Sequence, residues 1–458
     1  MDILTTGSGL LAAWAVGPAC DAFLRWRRLA APRGGARPPG AGRAPGKLLA
    51  VIPSRAEGAR VGDLAEDLVR EGKRREEKIS SKAEETGASG GARPAASVPP
   101  GGVDVLVLLD GPDPDAEARL NAGGVKYLSK EIPGPSKGHA LAFLAERMGE
   151  KLDSYDFILV FDADMRLPEG FFCDLSVPEG TEVFQLPVHP SGAPAPGAPR
   201  VEALSLAAAL ADDLVRDRQG LPVRLRGKAM GFSPKAFRLG PAVATRTSAE
   251  DSEATLRLLA AGIRVRALGS PVAFDEPAPA AAAMARSRAR WLGGHFKLLF
   301  TGVEDLLRLA GKAPKGAFVL ACDLWLRPRI FLLGTLAFLA IASDVLMVAF
   351  SSSGAWSAVA RAGGDAASAA GGALAGDVAA SARPAALLVF LLLLSLEGKA
   401  AIVFEWLCVG ALRSRIGYPP EIPAVTFADV HSSLSMWTRA VGHALLAPSR
   451  WHRARPPA

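Results

Sequence analysis

Two aspartates that follow an apolar run are the first residues of this chain whose types and spacing suggest chemistry. Residues 157–161 are all apolar, and Asp162-Ala163-Asp164 comes directly after them. Such a run is typical of a β-strand buried on both faces, and ligands of open α/β sheets bind just beyond the carboxyl ends of these strands. Residues two apart in an extended segment point the same way, so Asp162 and Asp164 can address one ligand. Paired carboxylates suit a hard divalent cation that holds a phosphate; a helix N-cap or an exposed turn is the ordinary alternative.

Other polar clusters stand where strands end or helices begin. The apolar segment at 48–53 leads into Arg55-Ala56-Glu57, and the segment at 103–110 ends in Asp110. A glycine-bounded basic loop at 134–141 opens a helix that precedes the strand at 157–161. This alternation of strands and helices predicts a parallel sheet, so one crevice can collect these clusters.

Acidic and basic clusters follow further along the chain. Glu250 and Asp251 precede a helical pattern that Gly262 closes, and the helix dipole is an ordinary reason for acidic residues there. Three arginines then alternate at 286, 288 and 290, just before Trp291. The alternative interpretation of these arginines is a basic stripe that faces solvent or the membrane, with Trp291 at the membrane interface.

The order and spacing of these motifs resemble the membrane-bound family 2 glycosyltransferases, which include the cellulose, hyaluronan and poly-N-acetylglucosamine synthases. The motifs are PSRAE (53–57), LDG (109–111), SKGHAL (136–141), DAD (162–164), EDSE (250–253) and RARW (288–291). The resemblance covers about residues 47–350, and 449–453 are more weakly similar. It implies an α/β fold of the GT-A (Rossmann-like) type, with a mostly parallel sheet and helices on both faces, plus α-helical transmembrane segments. It also implies a nucleotide-diphospho-sugar donor, most often UDP-linked, and inversion at the anomeric carbon.

On the donor side, the resemblance assigns five residues to nucleotide binding. Pro53 and Glu57 match the positions that contact the nucleoside, and Asp110 matches the position that recognises the base. Lys137 falls in the loop that faces the nucleotide, and Arg288 is placed with the donor-binding residues. Asp162, treated next, is expected to touch the ribose or the sugar.

For the chemical step, the resemblance assigns Asp164 to Mg²⁺ or Mn²⁺ on the diphosphate, with Asp162 beside it. Asp251 matches the general base, while Arg290 and Trp291 match the motif that closes over diphosphate and acceptor. The chemistry needs such groups: a departing diphosphate leaves charge that a metal and an arginine stabilise, and a carboxylate must take the proton of the acceptor hydroxyl. One base is enough for inversion, by analogy with inverting glycoside hydrolysis.

The sequence departs from the family pattern at three places. Ser287 stands where processive members carry glutamine, which favours a single transfer to a lipid, glycan or envelope acceptor over polymer synthesis. Ala56 replaces an asparagine, and Pro112-Asp113 replaces Ser-Thr, so nucleotide contacts are expected to be arranged differently. The segment 227–232 resembles the loop that lines the acceptor side.

Composition indicates a membrane protein with a soluble catalytic domain, because 49% of the 458 residues are hydrophobic and the apolar excess is concentrated in a few segments. Arginines flank these segments, which favours a cytoplasmic catalytic domain and a multi-pass protein of the bacterial inner membrane. The expected spans are 3–23, 330–350 and 385–412. The predicted domains are an anchor (1–28), the GT-A domain (47–295, with a flexible insertion or frayed helix extension at 73–102), interface helices (296–329), a transmembrane region (330–412) and a cytoplasmic tail (413–458).

Several other classes are disfavoured. The formal charge is +7, but the basic residues are not interleaved with aromatic ones, so nucleic acid is not expected as a partner. The four cysteines have no CxxC spacing, and the six histidines have no HExxH spacing. Gly7-x-Gly9-x-x-Ala12 partly matches a dinucleotide fingerprint, but no strand precedes it. Two alternatives stay open: a catalytically inactive relative that acts as a binding or scaffold protein, and a processive polysaccharide synthase.

Overall fold

The structure is a computed structural model that describes residues 42–87, 102–276, 281–325 and 427–446. All of these belong to one unit, Pro32–Trp325 together with Ile416–Ala458. The three expected membrane spans lie outside the described residues. Within the described ranges, no helix combines the length and the apolar character needed to cross a bilayer. The multi-pass topology therefore stays a prediction.

Two β-sheets organise this unit. Among the described residues, seven strands form the main sheet in the order β3-β2-β1-β4-β8-β6-β9, and three form a second sheet in the order β5-β10-β7. Strand β8 runs antiparallel to β4 and β6, and the other neighbours in the main sheet are parallel. The strands are β1 (Leu48–Ser54), β2 (Val103–Asp110), β3 (Lys126–Lys130), β4 (Phe157–Val160), β5 (Met165–Arg166), β6 (Val183–Gln185), β7 (Val188–Pro190), β8 (Met230–Phe232), β9 (Val265–Ala267) and β10 (Ala273–Asp275).

Helices cover both faces of the main sheet. Along β1, Leu48, Ala50 and Ile52 pack into one apolar core with α1 and α2, whereas Leu49 and Val51 pack into another with α3, α6 and α7. The described helices are α1 (Val61–Gly87), α2 (Pro114–Ala122), α3 (Lys137–Met148), α4 (Phe171–Asp174), α5 (Ala198–Arg218), α6 (Pro234–Leu239), α7 (Glu250–Ala260), α8 (Ala281–Thr301), α9 (Val303–Lys312), α10 (Pro314–Trp325) and α11 (Phe427–Leu446). The predicted α/β class, with a mostly parallel sheet covered on both faces, is confirmed, and this architecture fits a GT-A domain.

The first helix is longer than the sequence pattern indicates. We expected a helix at 60–72 and a flexible insertion or frayed helix extension over 73–102, but α1 continues to Gly87. The helical alternative is therefore correct up to that residue, and 88–101 lie outside the described residues. Good helix formers and charge pairs one turn apart account for the extension. Burial adds to it, because the buried Arg75 guanidinium, within the extension, donates to the Pro45 and Gly46 carbonyls.

Part of the expected C-terminal tail is a helix that packs on helices of the same unit. Helix α11 contacts α8 and α5. The buried Asp429 carboxylate accepts a hydrogen bond from the Gly197 N–H at 2.6 Å and pairs with Arg200 at 3.0 Å. Tail residues thus help to position α8, which carries Arg290 and Trp291.

Candidate active site

The two aspartates of the DAD motif emerge from the end of β4 on the same side. Phe161, Ala163 and Met165 are buried, whereas Asp162 and Asp164 are half-buried. The Met165 N–H donates to the Asp162 carbonyl at 3.1 Å, which turns the chain after the motif. The segment after β4 is thus a turn and not the extended strand that the sequence predicted, but both carboxylates still act electrostatically on one group, the Lys228 ammonium.

Lys137 connects the DAD motif with a loop far along the chain. Its ammonium group donates to the Asp162 carboxylate and, at 2.5 Å, to the Gly227 carbonyl. Burial raises the pKa of Asp162. The nearby positive charges of Lys137, Lys228 and Arg290 lower that pKa by more, so it lies below its ordinary value and the carboxylate stays ionised.

The loop that contains Gly227 is held in a fixed conformation. Gly227 has φ +82°, and Ala229 has φ +51°, which is uncommon for a residue with a side chain. The buried Gln185 amide spans the loop: its nitrogen donates to the Lys228 carbonyl, and its oxygen accepts the Arg226 N–H, both at 2.9 Å. These contacts keep the Gly227 carbonyl directed at the Lys137 ammonium group.

Lys228 places a second ammonium group beside the same carboxylates. It pairs with Asp275 at the end of β10, and Asp164 and Asp162 also act on it electrostatically. Burial lowers the pKa of Lys228, but these three carboxylates raise it by more, so the side chain stays charged. Lys228 lies in the segment 227–232, which the resemblance assigned to the acceptor side, whereas no motif in the sequence marked Asp275.

The carboxylates suit a divalent cation that arrives with its phosphate ligands. Among the described residues, no three His, Cys, Asp or Glu side chains form a ready metal cluster. Mg²⁺, however, commonly binds one or two protein carboxylates and takes its other ligands from substrate phosphates and water. Asp162 and Asp164 supply such oxygen ligands, and the Lys228 ammonium group is a stand-in cation beside them. We conclude that the donor set fits Mg²⁺ or Mn²⁺ bound together with a diphosphate.

Asp110 fixes the loop before α3. Its fully buried carboxylate accepts the Gly134 N–H at 2.9 Å and lies 3.7 Å from the Arg55 guanidinium and 3.6 Å from the Lys130 ammonium. Arg55 also donates to the Gly134 carbonyl at 2.6 Å. The carboxylate predicted to recognise the base therefore positions the loop that carries Lys137.

The remaining residues of the predicted nucleoside site lie at the carboxyl end of β1. Pro53 is buried within β1, and Glu57 is half-buried just before a 3₁₀ turn. Asp113, one of the departures from the family pattern, caps α2 and accepts the Gly58 N–H at 3.0 Å. This aspartate therefore links the end of β1 to the helix that follows β2.

Asp251, the predicted base, lies on the other wall of the crevice. It is at the start of α7, where its carboxylate accepts the Ser252 N–H at 2.7 Å. A methyl group placed on Gly227 would be 3.7 Å from the Asp251 carboxylate. Because the Gly227 carbonyl binds Lys137, and Lys137 binds Asp162, the structure places Asp251 close to the DAD motif.

Glu250 lies beside the same site, although the family resemblance assigned no role to it. Burial raises its pKa to about 7, and the adjacent Asp251 charge raises it too, while Lys137 and Arg290 act in the opposite direction. Its Cβ lies close to Gly138 in the first turn of α3. The only sequence signal was its position in the acidic pair, where Asp251 was assigned as the base.

Arg290 and Arg288 have different surroundings although they are two residues apart. The positive charge of Arg290 acts on Asp162 and Glu250. Arg288 instead pairs with Glu202 on α5. Residues two apart on an α-helix point in nearly opposite directions, which accounts for these different surroundings. Arg288 links α5, α8 and α11 through Glu202, Trp291 and Trp437, and the donor contact expected for it stays a prediction.

Trp291 lies in an aromatic cluster between α8 and α11. Its ring meets the His295 ring edge to face, with 4.3 Å between centroids, and lies 6.5 Å from the Trp437 ring. The Arg288 guanidinium lies 5.6 Å from the Trp291 ring and 6.0 Å from the Trp437 ring. Cation–π and aromatic contacts therefore fix the tryptophan of the RW motif.

A buried hydrogen-bond chain joins this cluster to Asp251. His295 donates from Nδ1 to the Trp291 carbonyl at 2.9 Å, which leaves Nε2 to accept from the Ser252 hydroxyl at 3.0 Å. Ser252 in turn accepts from the Arg224 guanidinium at 3.1 Å. Burial lowers the pKa of His295 to about 4, and the Arg224 charge lowers it too, so the imidazole is neutral. His295 thus lies behind Asp251 and couples α7 to α8.

Comparisons with known proteins give distant likenesses in structure alone. No protein-family profile and no curated protein matches the chain. A mannosyltransferase from Pyrobaculum calidifontis, solved with GDP-Man and Mn²⁺, aligns over 87% of this chain and 97% of its own at 14% identity, with a TM-score of 0.44. Glucosyl-3-phosphoglycerate synthase from Mycobacterium tuberculosis, solved with phosphoglyceric acid, aligns over 55% and 79% at 17% identity, with a TM-score of 0.34. CMP:2-keto-3-deoxy-manno-octonic acid synthetase, solved with CTP, aligns over 51% and 92% at 15% identity, with a TM-score of 0.25. With TM-scores below 0.5, these likenesses establish neither the family nor the activity of this chain.

Proposed function

We propose that this protein is a metal-dependent, inverting glycosyltransferase of the membrane-bound family 2 type. The observation that supports it best is the position of Lys137, which binds both Asp162 and the Gly227 carbonyl next to Asp251. Carboxylates for a cation and a carboxylate for proton transfer thereby face one crevice. The donor is a nucleotide-diphospho-sugar, with UDP as the favoured nucleotide, and the acceptor is a lipid, a glycan or an envelope component.

In this mechanism the residues of the two walls divide the chemistry. Asp162 and Asp164 hold Mg²⁺ or Mn²⁺, which when bound neutralises the diphosphate as it leaves. Arg290 and Lys137 stabilise the same developing charge, and the burial of Lys137 strengthens its share of that interaction. Asp251 takes the proton of the acceptor hydroxyl on the face of the sugar opposite the leaving group.

The test is release of nucleotide from a panel of UDP-, GDP- and dTDP-sugars with Mn²⁺. Asp251→Asn is expected to lower kcat about 10²- to 10⁴-fold with little effect on donor affinity, since it removes the base and keeps the shape. Asp153→Asn, at an exposed carboxylate paired with Arg238, is the matched control and is expected to retain full activity. An active Asp251→Asn variant would contradict the role of Asp251 as the base, whereas no turnover of any donor by the wild-type protein would favour a binding or scaffold role.

A single transfer is the favoured outcome over polymer synthesis. Ser287 stands on α8 where processive relatives carry glutamine, and its shorter side chain cannot span the same gap. Products with one added sugar are expected from purified protein, donor and a lipid-extract acceptor. Mass spectrometry that found chains of many sugars would instead identify a processive synthase.

We also propose that the protein is an integral membrane protein whose catalytic domain rests on the membrane surface. The face formed by α8, α9 and α10 exposes several large apolar side chains: Phe296 (53%), Phe300 (81%), Val303 (45%), Leu307 (66%) and Phe318 (60%). Exposed lysines at 297, 312 and 315 border this face, which suits anionic lipid head groups. The protein is expected to stay in the membrane pellet after alkaline carbonate extraction, and recovery in the supernatant would contradict an integral location.

A further inference from the structure

Lys228 is a cation inside the site proposed for a divalent metal. Its ammonium group pairs with the Asp275 carboxylate, and Asp275 lies opposite Met165 in the pairing of β10 with β5, directly after Asp164 in the chain. The Glu276 N–H also donates to the Asp164 carbonyl at 3.3 Å, so Lys228 stands beside the DAD motif. The second oxygen of Asp275 is buried and has no hydrogen-bond partner among the described residues. The acidic cluster therefore already contains two ammonium groups, Lys137 on Asp162 and Lys228 on Asp275, and one carboxylate oxygen with spare capacity to bind a ligand.

The backbone holds this lysine in place. The loop bears left-handed conformations on both sides of Lys228, at Gly227 and Ala229, and the buried Gln185 amide binds the Lys228 carbonyl. The ammonium group of Lys228 therefore starts from a fixed backbone position next to the two aspartates, and its ion pair with Asp275 holds it there in the free protein.

A divalent cation that binds Asp162 and Asp164 alone meets this ammonium group and is repelled by it. A diphosphate removes the conflict, because its oxygens accept the ammonium group and complete the coordination of the metal. We propose that Lys228 is a built-in counter-ion that excludes divalent cations from the free protein and contacts the diphosphate once metal and donor bind together. This inference rests on the proposed function, since it specifies how that site takes up its metal. Metal and diphosphate should then bind with positive cooperativity.

The test measures Mn²⁺ binding directly, by electron paramagnetic resonance on the purified full-length protein, with and without inorganic pyrophosphate. Lys228→Met is expected to bind Mn²⁺ alone roughly 10-fold or more tightly than wild type, because the repelling charge is gone. Pyrophosphate should strengthen Mn²⁺ binding to wild type, and by roughly 10-fold less to the variant. Lys235→Met, at an exposed lysine paired with Glu182, is the matched control and should behave as wild type.

Two further variants separate charge from loop damage. Lys228→Arg keeps the charge and should exclude Mn²⁺ as wild type does. If it bound Mn²⁺ as tightly as Lys228→Met, the cause would be a disturbed loop and the proposal would be wrong. If circular dichroism shows that Lys228→Met does not fold, Asp275→Asn replaces it as the test variant. Without the Asp275 charge, the Lys228 ammonium group should pair with Asp162 and Asp164 instead, and the affinity for Mn²⁺ alone should fall. Unchanged or weaker Mn²⁺ binding by folded Lys228→Met, or tighter binding by Asp275→Asn, would overturn the inference.

This measurement stands apart from the activity assay. If no nucleotide-sugar is turned over but Lys228→Met binds Mn²⁺ more tightly, the transferase proposal fails and the counter-ion role survives. If sugar transfer occurs and the Mn²⁺ affinities of wild type and variant are equal, the counter-ion role alone fails.

Discussion

Replacing Glu250 by glutamine is expected to stabilise the protein at pH 8 and to have little effect at pH 4.5. The carboxyl group is half-buried at the start of α7 beside the Asp251 charge, and its pKa rises from 4.5 to about 7. The folded state therefore binds this proton more tightly than the unfolded state does. Its contribution to stability is fully present below pH 4.5 and is lost as the pH rises towards 7.

A shift of this size corresponds to about 3 kcal/mol, and partial exposure of the side chain reduces the expected effect to about 2 kcal/mol. Glutamine has nearly the shape of the protonated acid and cannot ionise, so Glu250→Gln avoids this loss. The nearby Lys137 and Arg290 charges limit the gain, because they favour the ionised form.

The assay is thermal unfolding followed by tryptophan fluorescence between pH 4.5 and 8, for wild type, Glu250→Gln and Glu146→Gln. The difference between Glu250→Gln and wild type should grow with pH and level off above pH 7. Glu146 is exposed on α3, and the effect of its replacement should be nearly constant over this range. A Glu250→Gln variant that is destabilised equally at every pH would refute the argument, since the carboxyl group would then be held by contacts that require its negative charge.

Two further predictions concern groups that connect the walls of the crevice. Ser252→Ala is expected to lower the free energy of unfolding by about 1–3 kcal/mol in a denaturant titration, because a buried donor of Arg224 and a buried acceptor of His295 lose their partner. Ser154→Ala, at an exposed serine, is the control. Equal losses in the two variants would contradict the role of the buried hydrogen-bond chain. Lys137→Met is expected to weaken binding of pyrophosphate with Mn²⁺ roughly 10-fold or more in calorimetry, because a charge-assisted contact to the phosphate is lost. Unchanged binding would place the diphosphate elsewhere.

The sequence predicted the position of a candidate site residue correctly where that residue lies at the end of a single strand or at the start of a single helix. The apolar run before Asp162, the basic loop that opens α3 with Lys137, and the acidic pair at the start of α7 all lie in the predicted elements. Period-two alternation and the topology of parallel sheets are local rules, so they apply without knowledge of tertiary contacts.

The contacts that the sequence did not predict depend on tertiary packing. Lys228 and Asp275 are 47 positions apart and meet because β10 joins the second sheet beside the end of β4. The resemblance placed Arg288 with the donor-binding residues, and no local pattern predicts its ion pair with Glu202, which is 86 positions away in the chain. The docking of α11 through Asp429 depends on partners more than 200 positions away, for which no local pattern gives a signal.

The crevice has two walls that are built differently, and one short loop touches both. The sheet-edge wall carries Asp162 and Lys137, whereas the α7–α8 wall carries Asp251 and Arg290. The second wall is closely packed, because a methyl group on Gly294 would lie 2.6 Å from a backbone nitrogen just before α7. Asp251 and Arg290 are therefore expected to move together, and the loop at 226–229 connects them to the other wall, because Gly227 contacts Lys137 and lies near Asp251. Substitutions in that loop should consequently change metal binding and proton transfer together, whereas substitutions within either wall should affect mainly one of them.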